Sequence, residues 1–146
     1  MAELTVKSPA FEPNKPIPQK YTCVGENINP PLTIEGVPTK TKSLALLMDD
    51  PDAPSGTFDH WVVWNIPPST TNIAQNTVPG TEGLNSGREH GYYSPCPPSG
   101  THRYFFKVYA LDTELGLSAN SKKKDVEKAM QGHILAKGEL VGLFKR

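Results

Sequence analysis

Two short stretches of this chain hold side chains whose types and spacing could do chemistry together. Residues 49–61 read DDPDAPSGTFDHW and residues 92–104 read YYSPCPPSGTHRY. In extended chain, alternate side chains share a face, so Asp50 and Asp52 can point the same way. His60 opens the next apolar run, with Val62 and Trp64 expected on its face. His102 and Tyr104 are two apart and share a strand face with Phe106, a profile running from polar rim to apolar core. Pro95, Pro97 and Pro98 form a stiff wall around Cys96, and Gly100 permits a tight turn into the following strand.

Three chemistries suit such a set. An aspartate can accept from an imidazole N–H, hold that ring as a donor and favour its charged form at His60 or His102, which suits an anion. Cys96, His102 and an aspartate contain the parts of a nucleophilic hydrolase, although no nucleophile motif such as G-x-S-x-G is present. Two aspartates and two histidines could bind a divalent ion. Each residue alone has a plainer reading. Asp50-Pro51-Asp52 is a turn, His60 or His102 a satisfied core histidine, and Cys96 a small buried hydrophobe. The coincidence of two clusters, each beside a Pro-rich loop at a strand end, favours a site.

Strands must position these groups. Short apolar segments alternate with Pro/Gly/Asn turns to about residue 112, and 15 prolines in 146 residues favour loops and sheet edges over helices. Residues 43–49 (SLALLMD) and 60–66 (HWVVWNI) are continuous apolar runs, as expected of strands buried on both faces. Residues 2–7 and 32–37 are weaker strands, 103–111 the longest, and 139–144 the last. Ser121 is expected to cap a helix through about residue 133, with Val126, Ala129, Met130 and His133 on one face. Residues 1–146 therefore read as one domain: mainly β, an antiparallel sandwich with a small helical portion.

Charges balance at 15 basic against 15 acidic, which excludes bulk attraction to nucleic acid. No apolar run is long enough to cross a membrane as a helix, and MAELTVKSPAF has no signal-peptide core, so a cytoplasmic location is expected. In a reducing compartment, pairing of Cys23 with Cys96 is not expected, and neither lies in a zinc-ligand spacing.

The stretches YTCVGENINPPL, TKSLALLMDDPDAP, HWVVWNIP, CPPSGTHRYFFKVYALD and GHILAKGELVG together resemble the phosphatidylethanolamine-binding protein family, in its bacterial and archaeal Raf kinase inhibitor-like branch. The D-P-D-A-P and G-x-H-R-Y motifs, in this order, are specific. The resemblance implies a large central sheet packed on a smaller one with a C-terminal helix. It also implies a ligand-binding pocket for a small anion such as phosphate or a phosphorylated headgroup. Motif by motif, that pocket would use Asp50, Asp52, His60, Cys96, Pro97, His102 and Tyr104, with a cis bond at Ala53–Pro54. The resemblance implies no metal or cofactor and a non-enzymatic role modulating a protein partner, a kinase or a serine protease. It also allows a homodimer. Arg88 and His90, and Ser94-Pro95 in place of glycines before C-P-P, depart from the family pattern.

Overall fold

The computed structural model describes residues 2–146. Among the described residues nine strands and one α-helix follow in order: β1 (Ala2–Glu3), β2 (Thr5–Lys7), β3 (Leu32–Glu35), β4 (Ser43–Asp50), β5 (Phe58–Ile66), β6 (Asn72–Ile73), β7 (Thr81–Glu82), β8 (His102–Leu111), α1 (Lys123–Met130) and β9 (Ile134–Phe144), with a short 3-10 turn at Gln19–Tyr21. A six-stranded sheet runs β1-β9-β8-β4-β5-β7, and a three-stranded sheet runs β2-β3-β6. Every pairing is antiparallel except β1 with β9.

The large sheet is buried on both faces at its centre, which is why β4 reads as an unbroken apolar run and is buried at every position. Leu44, Leu46 and Met48 face the small sheet, packing with Trp61, Val63, Phe106 and Ile34. Ala45 and Leu47 face the other way, with Val62, Trp64, Val126 and Met130. Helix α1 covers this second core.

Two local expectations shift. Residues 2–7 form not one strand but two, in different sheets, because the chain crosses between them at buried Leu4, whose N–H donates to Lys137 C=O at 2.9 Å. Gly138 allows this approach: a Cβ there would stand 2.2 Å from the Leu4 carbonyl oxygen. The helix starts at Lys123, not after Ser121, and Asp125 closes its first turn by accepting from the Lys122 N–H at 2.9 Å. Val126 and Met130 are buried on its inner face, with Ala129 packed beside them. His133 lies past the helix end and meets Asp112 at 2.7 Å.

Candidate anion pocket

The ends of β4, β5 and β8 meet at one edge of the large sheet. Asp50 closes β4, Phe58 and His60 open β5, and His102 and Tyr104 open β8. With loop 93–98 they line a cavity of about 260 Å³, together with Ala53 and Pro54. A larger, open groove of about 800 Å³ runs along the small sheet past Lys7, Glu35 and Thr41, but gathers none of these groups.

Alternation along β8 places His102, Tyr104 and Phe106 on the inner, buried face, as their spacing predicts. His60 does not share a face with Val62 and Trp64. Met48 pairs with Trp61 but Asp49 pairs with Asp59, so His60 is an extra residue on β5. This bulge turns the ring toward the cavity, against Phe58 at 4.7 Å and Tyr104 at 5.2 Å between ring centres. A bulged residue leaves its backbone out of the ladder. Tyr93 satisfies it, its N–H donating to the His60 carbonyl at 2.8 Å. The His60 ring returns the bond, Nδ1–H donating to the Tyr93 carbonyl at 2.6 Å.

Asp50 is buried and both its oxygens are engaged. Oδ1 accepts from the Asp52 N–H at 2.8 Å, and Oδ2 accepts from His102 Nδ1–H at 2.7 Å. The carboxylate thus fixes the tautomer of one ring and closes the turn after β4. Tyr104 is fully buried and its hydroxyl has no hydrogen-bond partner among the described residues. Burial first, then the charges of Asp50 and Asp52, hold that hydroxyl protonated far above its ordinary range.

Asp52 stands apart from the cavity. Arg103 grips it from the outer side: Nε and Nη2 donate to its two oxygens at 2.9 and 2.8 Å, and the Arg103 backbone N–H adds a third bond. These bonds pull its pKa down to about 2. Asp52 pins the turn to β8. On the same outer face Asp49 meets Lys107 and Lys123, each at 3.1 Å, and Lys123 also reaches Asp59, tying the helix to the strand ends.

Two expectations fail and a third is narrowed. Cys96 is bonded to Cys23, whose Cα lies 5.5 Å away. No thiolate is present there, so the Cys96–His102–Asp hydrolase reading falls. The pairing was not expected because a reducing compartment disfavours it, and the bond closes across 73 residues all the same. Ala53–Pro54 is trans, since no cis peptide occurs among the described residues; the loop reverses instead at Gly56, φ 107°, whose N–H returns to Ala53 C=O. The third placed a charged ring at His60 or His102, and it is disfavoured at His60. Burial, partly offset by the Tyr93 carbonyl and by Asp50, Asp59 and Asp49, pushes its pKa below 6.5. No group of three or more His, Cys, Asp or Glu side chains converges as metal ligands among the described residues.

Sequence reasoning missed Phe58, Tyr93 and Ser94 as cavity walls. Their signal was proximity: each lies within three residues of His60 or Cys96. Arg88 and His90, by contrast, are exposed and do not line the cavity; His90 bonds the Glu82 carbonyl.

The state of His60 predicts a pH effect. The unfolded chain takes up this proton near 6.5, the folded chain only lower, so this contribution to stability is full above 6.5 and falls as pH drops below it. Urea unfolding of wild type and His60→Gln across this window tests it. The variant should show the shallower loss; equal slopes would place the effect elsewhere.

The family model for phosphatidylethanolamine-binding protein matches residues 7–145. A UPF0098 protein of Methanothermobacter thermautotrophicus is 50% identical, covering 98% of this chain and 99% of its own. A UPF0098 protein of Pyrococcus horikoshii is 49% identical, over 95% of this chain and 75% of its own. Among solved structures, a phosphatidylethanolamine-binding protein homologue from Chlamydia trachomatis aligns with a TM-score of 0.96 at 40% identity, covering 100% and 99% of the two chains. E. coli YbcL, described as a member of the mammalian family, aligns at 0.90 with 31% identity, covering 99% of each.

Proposed function

This chain belongs to the phosphatidylethanolamine-binding protein family, and from that premise we propose that it is a non-enzymatic binding protein whose small pocket holds an anion, phosphate or a phosphorylated headgroup. In this reading the loaded pocket modulates a protein partner, a kinase or a serine protease, that docks beside it. The observation that carries the reading is the Tyr104 hydroxyl, fully buried at the cavity with no partner of its own. A buried polar group left unsatisfied costs about 1–3 kcal/mol, which a ligand oxygen would recover. Both histidine rings support it, because each engages Nδ1 with the protein and leaves Nε2 without a partner among the described residues. The cavity volume, about 260 Å³, suits a phosphate-sized group rather than acyl chains.

A cytoplasmic location belongs to this reading too, and the disulfide is at home there only where intracellular thiols oxidise, as in hyperthermophiles. No helix among the described residues is long and apolar enough to cross a membrane.

Titration with phosphate and phosphoethanolamine, followed on the His60 and His102 ring resonances, tests the pocket. Both rings should shift together and saturate. His102→Ala should weaken binding by about tenfold, the loss of one hydrogen bond to a charged partner. Unchanged affinity in a folded His102→Ala protein would remove the assignment.

A further inference from the structure

An anion pocket ordinarily offers cations and N–H donors, and this one offers few. Its lining contains no lysine and no arginine, and its permanent charge is the carboxylate of Asp50. The wall at 94–98 is largely proline: Pro95, Pro97 and Pro98 supply no N–H. Both imidazoles direct their Nδ1 protons away from a ligand, His60 to the Tyr93 carbonyl and His102 to Asp50. In the neutral ring, Nε2 is then a lone-pair acceptor. The ready donors are hydroxyls, those of Tyr104 and Ser94.

A fully ionised phosphate brings oxygen acceptors only. Placed here it would set acceptor against acceptor at two ring nitrogens, with the Asp50 charge behind them. A phosphate bearing one O–H resolves the conflict: its proton goes to an Nε2, and its other oxygens accept from the hydroxyls. We propose that the pocket takes its anion together with a proton, selecting singly protonated phosphomonoesters and inorganic phosphate over phosphodiesters such as an intact phospholipid headgroup. This rests on the anion reading above and narrows its ligand class. A monoester has a second ionisation near pH 6 and can carry the proton; a diester carries none at neutral pH.

The groups around the rings are consistent with this. Asp49, Asp50 and Asp59 are the charges that act on His60, and burial outweighs them in lowering its pKa from the ordinary histidine value. His102 faces Asp50, while Arg103 is committed to Asp52 on the outer side. Arg146 reaches the far side of the loop at Cys96 Sγ, 3.4 Å away, without lining the cavity.

Calorimetric titration with phosphoethanolamine, inorganic phosphate and glycerophosphoethanolamine, from about pH 5.5 to about pH 8, tests the proposal. Monoester affinity should fall by about tenfold per pH unit above the ligand's second ionisation, with about one proton taken up per anion bound there. The diester should bind at least about tenfold more weakly at the acid end. Asp50→Asn is the second arm. Its amide N–H would donate to His102 Nδ1 and drive the ring proton onto Nε2, turning an acceptor into a donor. That variant should lose much of the pH dependence and admit the diester. Equal binding of monoester and diester, with no pH dependence, would overturn the proton requirement while leaving the anion pocket standing. No binding of any of the three at any pH would overturn the anion reading and this inference with it.

Discussion

Replacing Cys23 and Cys96 together with serine is expected to lower stability by about 4 kcal/mol. The bond closes a loop across 73 residues, and constraining so long a loop in the unfolded chain carries most of that figure. The local structure adds to it. The wall around Cys96 has little backbone bonding of its own. Tyr93 N–H to His60 C=O and Cys23 N–H to Pro95 C=O anchor it, and the prolines contribute no donors. Without the disulfide this segment would rely on those two bonds and on packing. Thermal unfolding should show the loss as a drop of roughly 10 °C. Because Cys23 is exposed, a thiol reductant acting on the wild-type protein should reproduce the shift. A change below about 1 kcal/mol would mean that proline stiffness and packing hold the wall unaided.

The second large effect separates two aspartates that are neighbours in sequence. Asp50→Ala is expected to cost about 3–5 kcal/mol, and Asp52→Ala no more than about 1 kcal/mol. Counting bonds would suggest the reverse, since Asp52 accepts three from Arg103 and Asp50 accepts one each from Asp52 and His102. Burial decides. The Asp50 side chain is 4% exposed, and its removal strands the Asp52 N–H and the His102 ring N–H with no water to replace it. The Arg103–Asp52 pair is 53% and 29% exposed, so solvent screens it and re-solvates either partner when the other is lost. Its small contribution is complete above the ordinary carboxylate value of 3.8 and disappears as pH falls toward about 2. Asp50→Asn should be milder than Asp50→Ala, since the amide oxygen still accepts from the Asp52 N–H. Denaturant unfolding of the three variants orders them, and equal losses for Asp50→Ala and Asp52→Ala would defeat the burial argument.

Much of the architecture was legible in particular residues. SLALLM and WVVW read as strands covered on both faces because no polar residue interrupts them, and each is flanked by both cores. His102, Tyr104 and Phe106 were placed on one inner face by alternation alone, which held because β8 is regular over the pocket. Gly100 turns the chain into β8 with φ at 71°, as a glycine before a strand can. The motifs that carried the family resemblance converge at one corner of the sheet.

The misplaced side chains share a cause. His60 was assigned a face by counting in twos, and the count failed at a bulge that only the pairing with β4 reveals. Asp50 and Asp52 were read as partners on one face, but Arg103 holds Asp52 outside while Asp50 turns in. Cys23 and Cys96 were read as unpaired on a different ground, the reducing compartment expected for the chain. Residue type and alternation are properties of a few neighbouring positions, so the sequence by itself determined the strands, their buried faces and the loops that carry the site. Which lone pairs and protons face the cavity depends on register, on a bulge and on contacts between segments dozens of residues apart. Those are balances of packing and hydrogen bonding across the sheet, and only the tertiary structure decided them.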